Sequence, residues 1–167
     1  MKTRIALFAL FMLAGYVFAQ DGSCPFRPAD SYRQASSSPK VASEIVRIFP
    51  AAKSVREAKP YLAVYGDEQL LGYVLYSKPA SNGITGFAGE TPLLIAFSAQ
   101  KTIVSVQLLA NDESPNMVGM ILQSPMLKSW NGLTPGEARK KRVDAVSGAT
   151  YTSNAIIESL RAAVKKL

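Results

Sequence analysis

Two stretches of this chain each read as strand, short turn, strand, and that repetition leaves few folds open. Tyr61 to Tyr65 alternates loosely, Gly66-Asp67-Glu68 supplies turn residues, and Leu70 to Ser77 alternates again. Farther on, the apolar run Thr91 to Ser98 meets Ala99-Gln100-Lys101 and returns as Thr102 to Leu109. Two antiparallel hairpins are expected. A hairpin on its own is marginal in water and needs a layer to cover its apolar face. Helical spacing supplies that layer. Val41, Ile45, Val46 and Phe49 fall on one face of a short helix that Ser37 or Ser38 can cap and Pro50 ends. Asp112 to Pro115 resembles a helix start ahead of Met117, Val118, Met120, Ile121 and Leu122. Ile156, Leu160 and Val164 stand four apart in a final helix from about Thr152 to Lys166, with Ile157 and Ala163 widening its apolar face. Residues 123 to 146 read as loop, with Thr134-Pro135-Gly136-Glu137 able to open one helical turn, and glycines 83, 86 and 89 mark a flexible stretch. The fold class this predicts is α+β: antiparallel hairpins forming a small sheet, flanking helices, and a C-terminal amphipathic helix.

The N-terminus stands apart from that pattern. Lys2 and Arg4 precede an almost unbroken apolar run from Ile5 to Phe18, and Val17-Phe18-Ala19 fits a small-x-small cleavage site loosely. Residues 1–20 therefore read as a secretory signal peptide cut near Ala19 or Gln20. An uncleaved anchor is the alternative, although the run is shorter than the roughly 20 residues a spanning helix needs. Residues 21–40, rich in Ser, Pro and Arg, read as a flexible tail, and residues 41–167 as the domain. No later stretch is long and apolar enough to span, so no integral membrane segment is expected in the mature chain, which is expected outside the cytoplasm, periplasmic or extracellular.

Composition excludes several chemistries. The chain has one cysteine, Cys24, and no histidine. An intrachain disulfide is impossible, a zinc site has no ligand pair, and histidine acid–base chemistry is ruled out. Asp21-Gly22-Ser23 does not suit lipidation of Cys24, which reads as a free thiol in the tail. Without Lys2 and Arg4 the 19 basic residues fall to 17 against 12 acidic ones, a net charge of +5. The densest cluster, Arg139-Lys140-Lys141-Arg142, has only Trp130 and Tyr151 as aromatic neighbours. That is a solvated basic loop rather than a nucleic-acid surface. No GxGxxG or phosphate-loop pattern is present.

The segment that points to chemistry is Asp144-Ala145-Val146-Ser147-Gly148-Ala149-Thr150-Tyr151-Thr152-Ser153. Small residues at 147 to 150 let the backbone approach a ligand closely. They stand just before the last helix, where unpaired amides and the positive end of the helix dipole favour an anion such as phosphate. Thr150, Thr152 and Ser153 add hydroxyls there. A turn followed by an ordinary Ser/Thr cap accounts for the same residues. Composition alone leaves both readings open.

Ser147-Gly148-Ala149-Thr150, with Asp144 upstream and Thr152-Ser153 downstream, resembles the flavinylation motif of the FMN-binding domain family. That family includes the C subunit of the sodium-pumping NADH:quinone oxidoreductase and the G subunit of the Rnf electron-transport complex. Other segments agree in order. Ile45 to Pro50 is similar to the family's opening helix ending in Phe-Pro, and Leu71-Gly72-Tyr73-Val74 to its Gly-Tyr-Val strand. Gly86-Phe87-Ala88-Gly89 resembles its glycine-rich loop, and Asp112-Glu113-Ser114-Pro115 its Glu-Thr-Pro segment. Asn116-Met117-Val118-Gly119 departs from the Gly-Leu-Gly with which the family often continues. The likeness spans roughly residues 41 to 167.

The resemblance implies FMN esterified through its phosphate to Thr150, installed from FAD by a flavin transferase with a divalent metal. It implies that Asp144 serves transferase recognition, and that Ser147, Gly148, Ala149 and the hydroxyl of Thr152 cradle the phosphate. Glu113 and Ser114 would approach the flavin ring and Met117 pack on it, although helix cap and ordinary core are equally open roles for these three. The expected function is electron transfer with unknown redox partner proteins. Two alternatives stand beside it: a non-redox binding module for an anionic or phosphorylated ligand, and a flavin subunit feeding a separate extracellular reductase.

Overall fold

The computed structural model of the protein describes residues 41–165 and Leu167. The signal segment, the tail with Cys24, the Ser37–Ser38 cap and Lys166 lie outside the described residues. The two expected hairpins are parts of one five-stranded antiparallel meander: β1 (Ser54–Ala58), β2 (Tyr61–Gly66), β3 (Gln69–Tyr76), β4 (Leu93–Phe97) and β5 (Ile103–Leu108), in the order β1-β2-β3-β4-β5. Four α-helices accompany it: α1 (Ser43–Ile48), α2 (Pro115–Gln123), α3 (Pro135–Lys140) and α4 (Thr150–Val164). The class is α+β, with a C-terminal helix.

β4 explains why the apolar run at 93–97 is continuous rather than alternating. All five of its residues are buried. Leu93, Ile95 and Phe97 enter the larger core with Ile121, Trp130, Ile156 and Leu160, whereas Leu94 and Ala96 enter a second core with Ile45, Val64 and Val74. Both faces of the strand are thus covered, and a strand covered on both faces has no polar positions to show. The smaller core lies under α1 and the larger one under α2, α3 and α4.

Phe49 and Gly72 show how α1 is seated. A Cβ at Gly72 would stand 2.9 Å from the Phe49 ring and 2.3 Å from the Phe97 carbonyl oxygen. The Phe-Pro end of the first helix and the Gly-Tyr strand are two halves of one close contact, which only glycine admits.

β1 was hidden in the sequence because it is an edge strand. Arg56 and Glu57 are exposed within it, and charged residues on an edge discourage pairing with other chains. The stretch 123–146 holds more structure than the expected loop. Leu127–Trp130 forms a 3-10 turn with Trp130 buried, fastened to β5 by Gly132 N–H donating to Ile103 O at 2.7 Å and Ile103 N–H donating to Leu133 O at 2.8 Å. α3 opens on a full capping box between Thr134 and Glu137. α4 begins at Thr150, two residues earlier than its apolar spacing suggests, and that shift decides which hydroxyls face outward.

Candidate functional site

The start of α4 is pinned from inside. Ala149 is buried in the main core and occupies the N-cap position. Its N–H donates to Val146 O at 3.0 Å. The Ser153 hydroxyl accepts from Val146 N–H at 3.0 Å and donates to Ala149 O at 2.8 Å. Between these anchors Ser147 and Gly148 form an exposed turn, with Gly148 at φ +84° in the left-handed region that favours glycine. Residues 150 and 152 of a helix project about 200° apart. With Ala149 and Ser153 held inward, Thr150 faces solvent and Thr152 is buried. No side chain caps α4 at Ala149. The first amides of a helix have no partner inside it, so this end remains available to an anion.

Glu113 closes the other side. It is only 6% exposed. One oxygen, Oε1, accepts from the amides of Ala88 at 2.9 Å and Gly89 at 3.1 Å. The other, Oε2, accepts the Thr152 hydroxyl in a short hydrogen bond. Burial pushes the pKa of this carboxyl up, but the Thr152 hydroxyl and the amides of Ala88, Gly89 and Phe87 outweigh it and hold the group below the ordinary glutamate range. A Cβ at Gly86 would meet Glu113 Oε1 at 2.5 Å and Thr152 Cα at 3.1 Å. The glycines of the 86–89 loop therefore let its backbone lie against the carboxylate and the first turn of α4.

The expected site residues occupy different depths of this arrangement. Ser147, Gly148, Ala149 and Thr150 form one turn at the helix start. Thr152 neither caps the helix nor faces outward: as the third residue of α4 it is turned into Glu113, with Met117 Sδ 3.8 Å from its hydroxyl. Met117 is partly buried against the main core. Ser114 holds the N-cap position of α2 without a side-chain cap bond, ahead of Pro115. Asp144 is exposed on segment 141–146, which forms neither helix nor strand, beside a cavity of about 540 Å³ that Lys128 and Arg142 also line. Three contributions differ from, or go beyond, what the sequence suggested. Ser153 fastens the turn, the 86–89 loop feeds amides to Glu113, and Met120 lies against Gly148, its Sδ 3.0 Å from where a Cβ would be. The glycine spacing at 86 and 89 was the available signal for the second.

A comparison with protein families bears on this end of the molecule. Residues 86–165 match the family described as the FMN-binding domain. These residues belong to the FMN-binding domain family. The matched part of the FMN-binding domain begins at the glycine loop and runs through β4, β5, α2 and α3 into Lys165, just past α4. It contains both the Glu113 clasp and the Thr150 turn. β1 to β3 precede it and complete its sheet. A comparison with curated proteins found no match.

The residues present fit FMN. The uncapped start of α4 and the left-handed, exposed turn at Gly148 suit a phosphate.

Proposed function

We propose that the domain carries FMN esterified through its phosphate to Thr150 and acts as an exported electron carrier. The observation that carries this reading is the sorting of hydroxyls at the start of α4. Those of Thr152 and Ser153 are buried and hydrogen-bonded, while Thr150 is exposed on the first residue of an uncapped helix. Attachment would join Thr150 Oγ1 to the FMN phosphorus of FAD as the bond between the two phosphates breaks. The hydroxyl proton passes to a base of a flavin transferase, and AMP leaves. Asp144, exposed six residues upstream, is open to that enzyme. When bound, FMN supplies one- and two-electron transfer, and the protein's part is position and environment. Gly148 and the first turn of α4 hold the phosphate end. Glu113 keeps the neighbouring loop and helix in register. Export rests on the basic start and apolar run of residues 1–20, and among the described residues no helix is long and apolar enough to cross a membrane. A covalent bond suits a carrier outside the cytoplasm, where lost FMN is not readily replaced.

The test is co-expression with a flavin transferase, followed by intact-mass measurement and in-gel fluorescence after denaturation. A mass gain of one esterified FMN and a fluorescent denatured band are expected. A folded, transferase-treated protein without flavin would leave a non-redox anion-binding module as the better account.

A further inference from the structure

The chain on the two sides of Thr150 differs in what it leaves free. After Thr150 runs α4, with Thr152 and Ser153 turned inward and hydrogen-bonded. Before it, Arg142, Val143, Asp144 and Ala145 belong to no helix or strand. Among the described residues none of their backbone N–H or C=O groups has a hydrogen bond. Val143 packs on the main core and fixes this segment to the molecule. Unpaired backbone groups at a surface are open to pairing by another chain.

Unpaired charge surrounds the same segment. Two cavities share Arg142, Val143 and Asp144 as a common wall: one of about 540 Å³ reaches Lys128, and one of about 300 Å³ reaches Glu158 and Arg161. Arg161 also donates to Lys141 O at 3.2 Å. Lys128, Lys141, Arg142 and Arg161 are thus gathered around one stretch of backbone. Asp144 and Glu158 stand on the same walls, yet none of the four cations forms a salt bridge among the described residues. The bridges found there belong to Lys53, Lys59 and Lys78, while Arg56 and Lys101 stand over tyrosine rings. A merely solvated basic run needs neither clefts nor unpaired backbone beside it. Cations left free along a cleft favour an acidic partner.

We infer that this face is a docking site for an acidic surface of the flavin transferase, with Lys128, Lys141, Arg142 and Arg161 gripping the enzyme from outside the attachment motif. The inference rests on attachment at Thr150 and adds what holds the enzyme there. An enzyme that modifies Thr150 has to grip the chain beside it, and the helical side is closed. Carboxylates of the transferase meet the four cations while its backbone pairs with residues 142–145. Charges at the rim of an interface act on encounter and partner choice. The site therefore governs how the two proteins bind and leaves the ester chemistry to the residues at the turn.

The experiment measures flavinylation rates of the full protein by the transferase of its own organism, with FAD saturating and the protein substrate varied. In the wild type, kcat/KM should fall severalfold as salt is raised. The double variant Lys128→Glu, Arg142→Glu should raise KM severalfold with kcat little changed, and its rates should lose most of their salt dependence. The neutral pair Lys128→Gln, Arg142→Gln should fall between it and the wild type, and circular dichroism checks that both are folded. Arg47→Glu with Lys53→Glu makes the same charge change beside α1, over the smaller core, and should keep the wild-type KM. A wild-type KM in both 128/142 pairs overturns the docking site and leaves the attachment standing. So does an equal rise in KM in the 47/53 control, or a loss confined to kcat. Absence of flavin from the treated wild type overturns both readings.

Discussion

The carboxylate of Glu113 accepts the hydroxyl of Thr152 from 39 residues along the chain, and through its other oxygen it takes the amides of Ala88 and Gly89. One buried side chain thereby joins the glycine loop, the approach to α2 and the first turn of α4. The last of these carries Thr150. The clasp also gives the buried glutamate a purpose that needs no contact with the cofactor, because every partner it uses belongs to the protein.

Breaking the clasp should cost stability before it costs chemistry. Glu113→Ala leaves two amides and a hydroxyl without their acceptor in a buried place, which costs about 1–3 kcal/mol. Glu113→Gln keeps an oxygen for the amides, and the Thr152 hydroxyl can turn to accept from the new NH2, so its loss should be smaller. Urea unfolding of the two variants checks the order. Equal stability of Glu113→Ala and wild type would show that the clasp does not hold the fold.

Acid should undo the same contact. The Glu113 carboxyl is held below its ordinary range in the folded protein, whereas in the unfolded chain it titrates at about 4.3. Its contribution is therefore fully present above that unfolded value and is lost as pH falls through the lower, folded one. Glu90 and Glu137 are also shifted down, the first by Lys78 and the Gly83 amide, the second by the amide and hydroxyl of Thr134. Both lie at the surface, where solvent screens such effects. Comparing unfolding of wild type and Glu113→Gln from pH 6 down to pH 3 isolates the buried group. The stability advantage of wild type should shrink with acid, and a gap that stays constant across the range would contradict this.

The hairpins, the final helix and the α+β class were legible because each rests on a local period. What escaped rests on long-range contacts. β1 has polar edge positions and no period, so only its pairing with β2 defines it. Trp130 enters the core from a 3-10 turn too short to carry a pattern. Within the site, the turn 147–150 was visible as a run of small residues before an amphipathic helix. The inward turn of Thr152 was not. It follows from a helix that starts two residues earlier than its apolar face, and from Glu113, whose partners span the sequence from Ala88 to Thr152. The roles of Glu113, Ser114 and Met117 came from resemblance alone, and resemblance carries no information about which oxygen is already bonded.

Gly148 offers a test of the phosphate end. Its φ of +84° disfavours any β-branched residue, and an added Cβ would press on Met120 Sδ at 3.0 Å. Gly148→Val should therefore block flavin attachment. The backbone strain is of order 1–3 kcal/mol, and the position is exposed, so most of the fold should survive. Circular dichroism reports the fold and gel fluorescence the attachment. Full flavinylation of a folded Gly148→Val protein would count against this turn as the phosphate site.

The sharpest division falls among the three Ser and Thr hydroxyls of α4's first turn. Among these, only Thr150 is an exposed residue, so Thr150→Ala should abolish covalent flavin while leaving stability nearly unchanged. Thr150→Ser keeps the oxygen but loses the methyl that restricts its rotamers, and should be modified less completely. Thr152→Ala behaves in the opposite way. It removes the donor to Glu113 in a fully buried position, so it should lower stability by about 1–3 kcal/mol yet keep its flavin, because the attachment oxygen is untouched. Ser153→Ala should resemble Thr152→Ala, since its hydroxyl only ties Val146 to Ala149. The four variants thus separate stability from attachment in a pattern that a general loss of folding cannot imitate. Denaturing gel fluorescence, peptide mapping and urea unfolding on the same preparations read both axes. Flavin mapped to Thr152 or Ser153 would require those buried hydroxyls to leave their partners, and would overturn the assignment to Thr150.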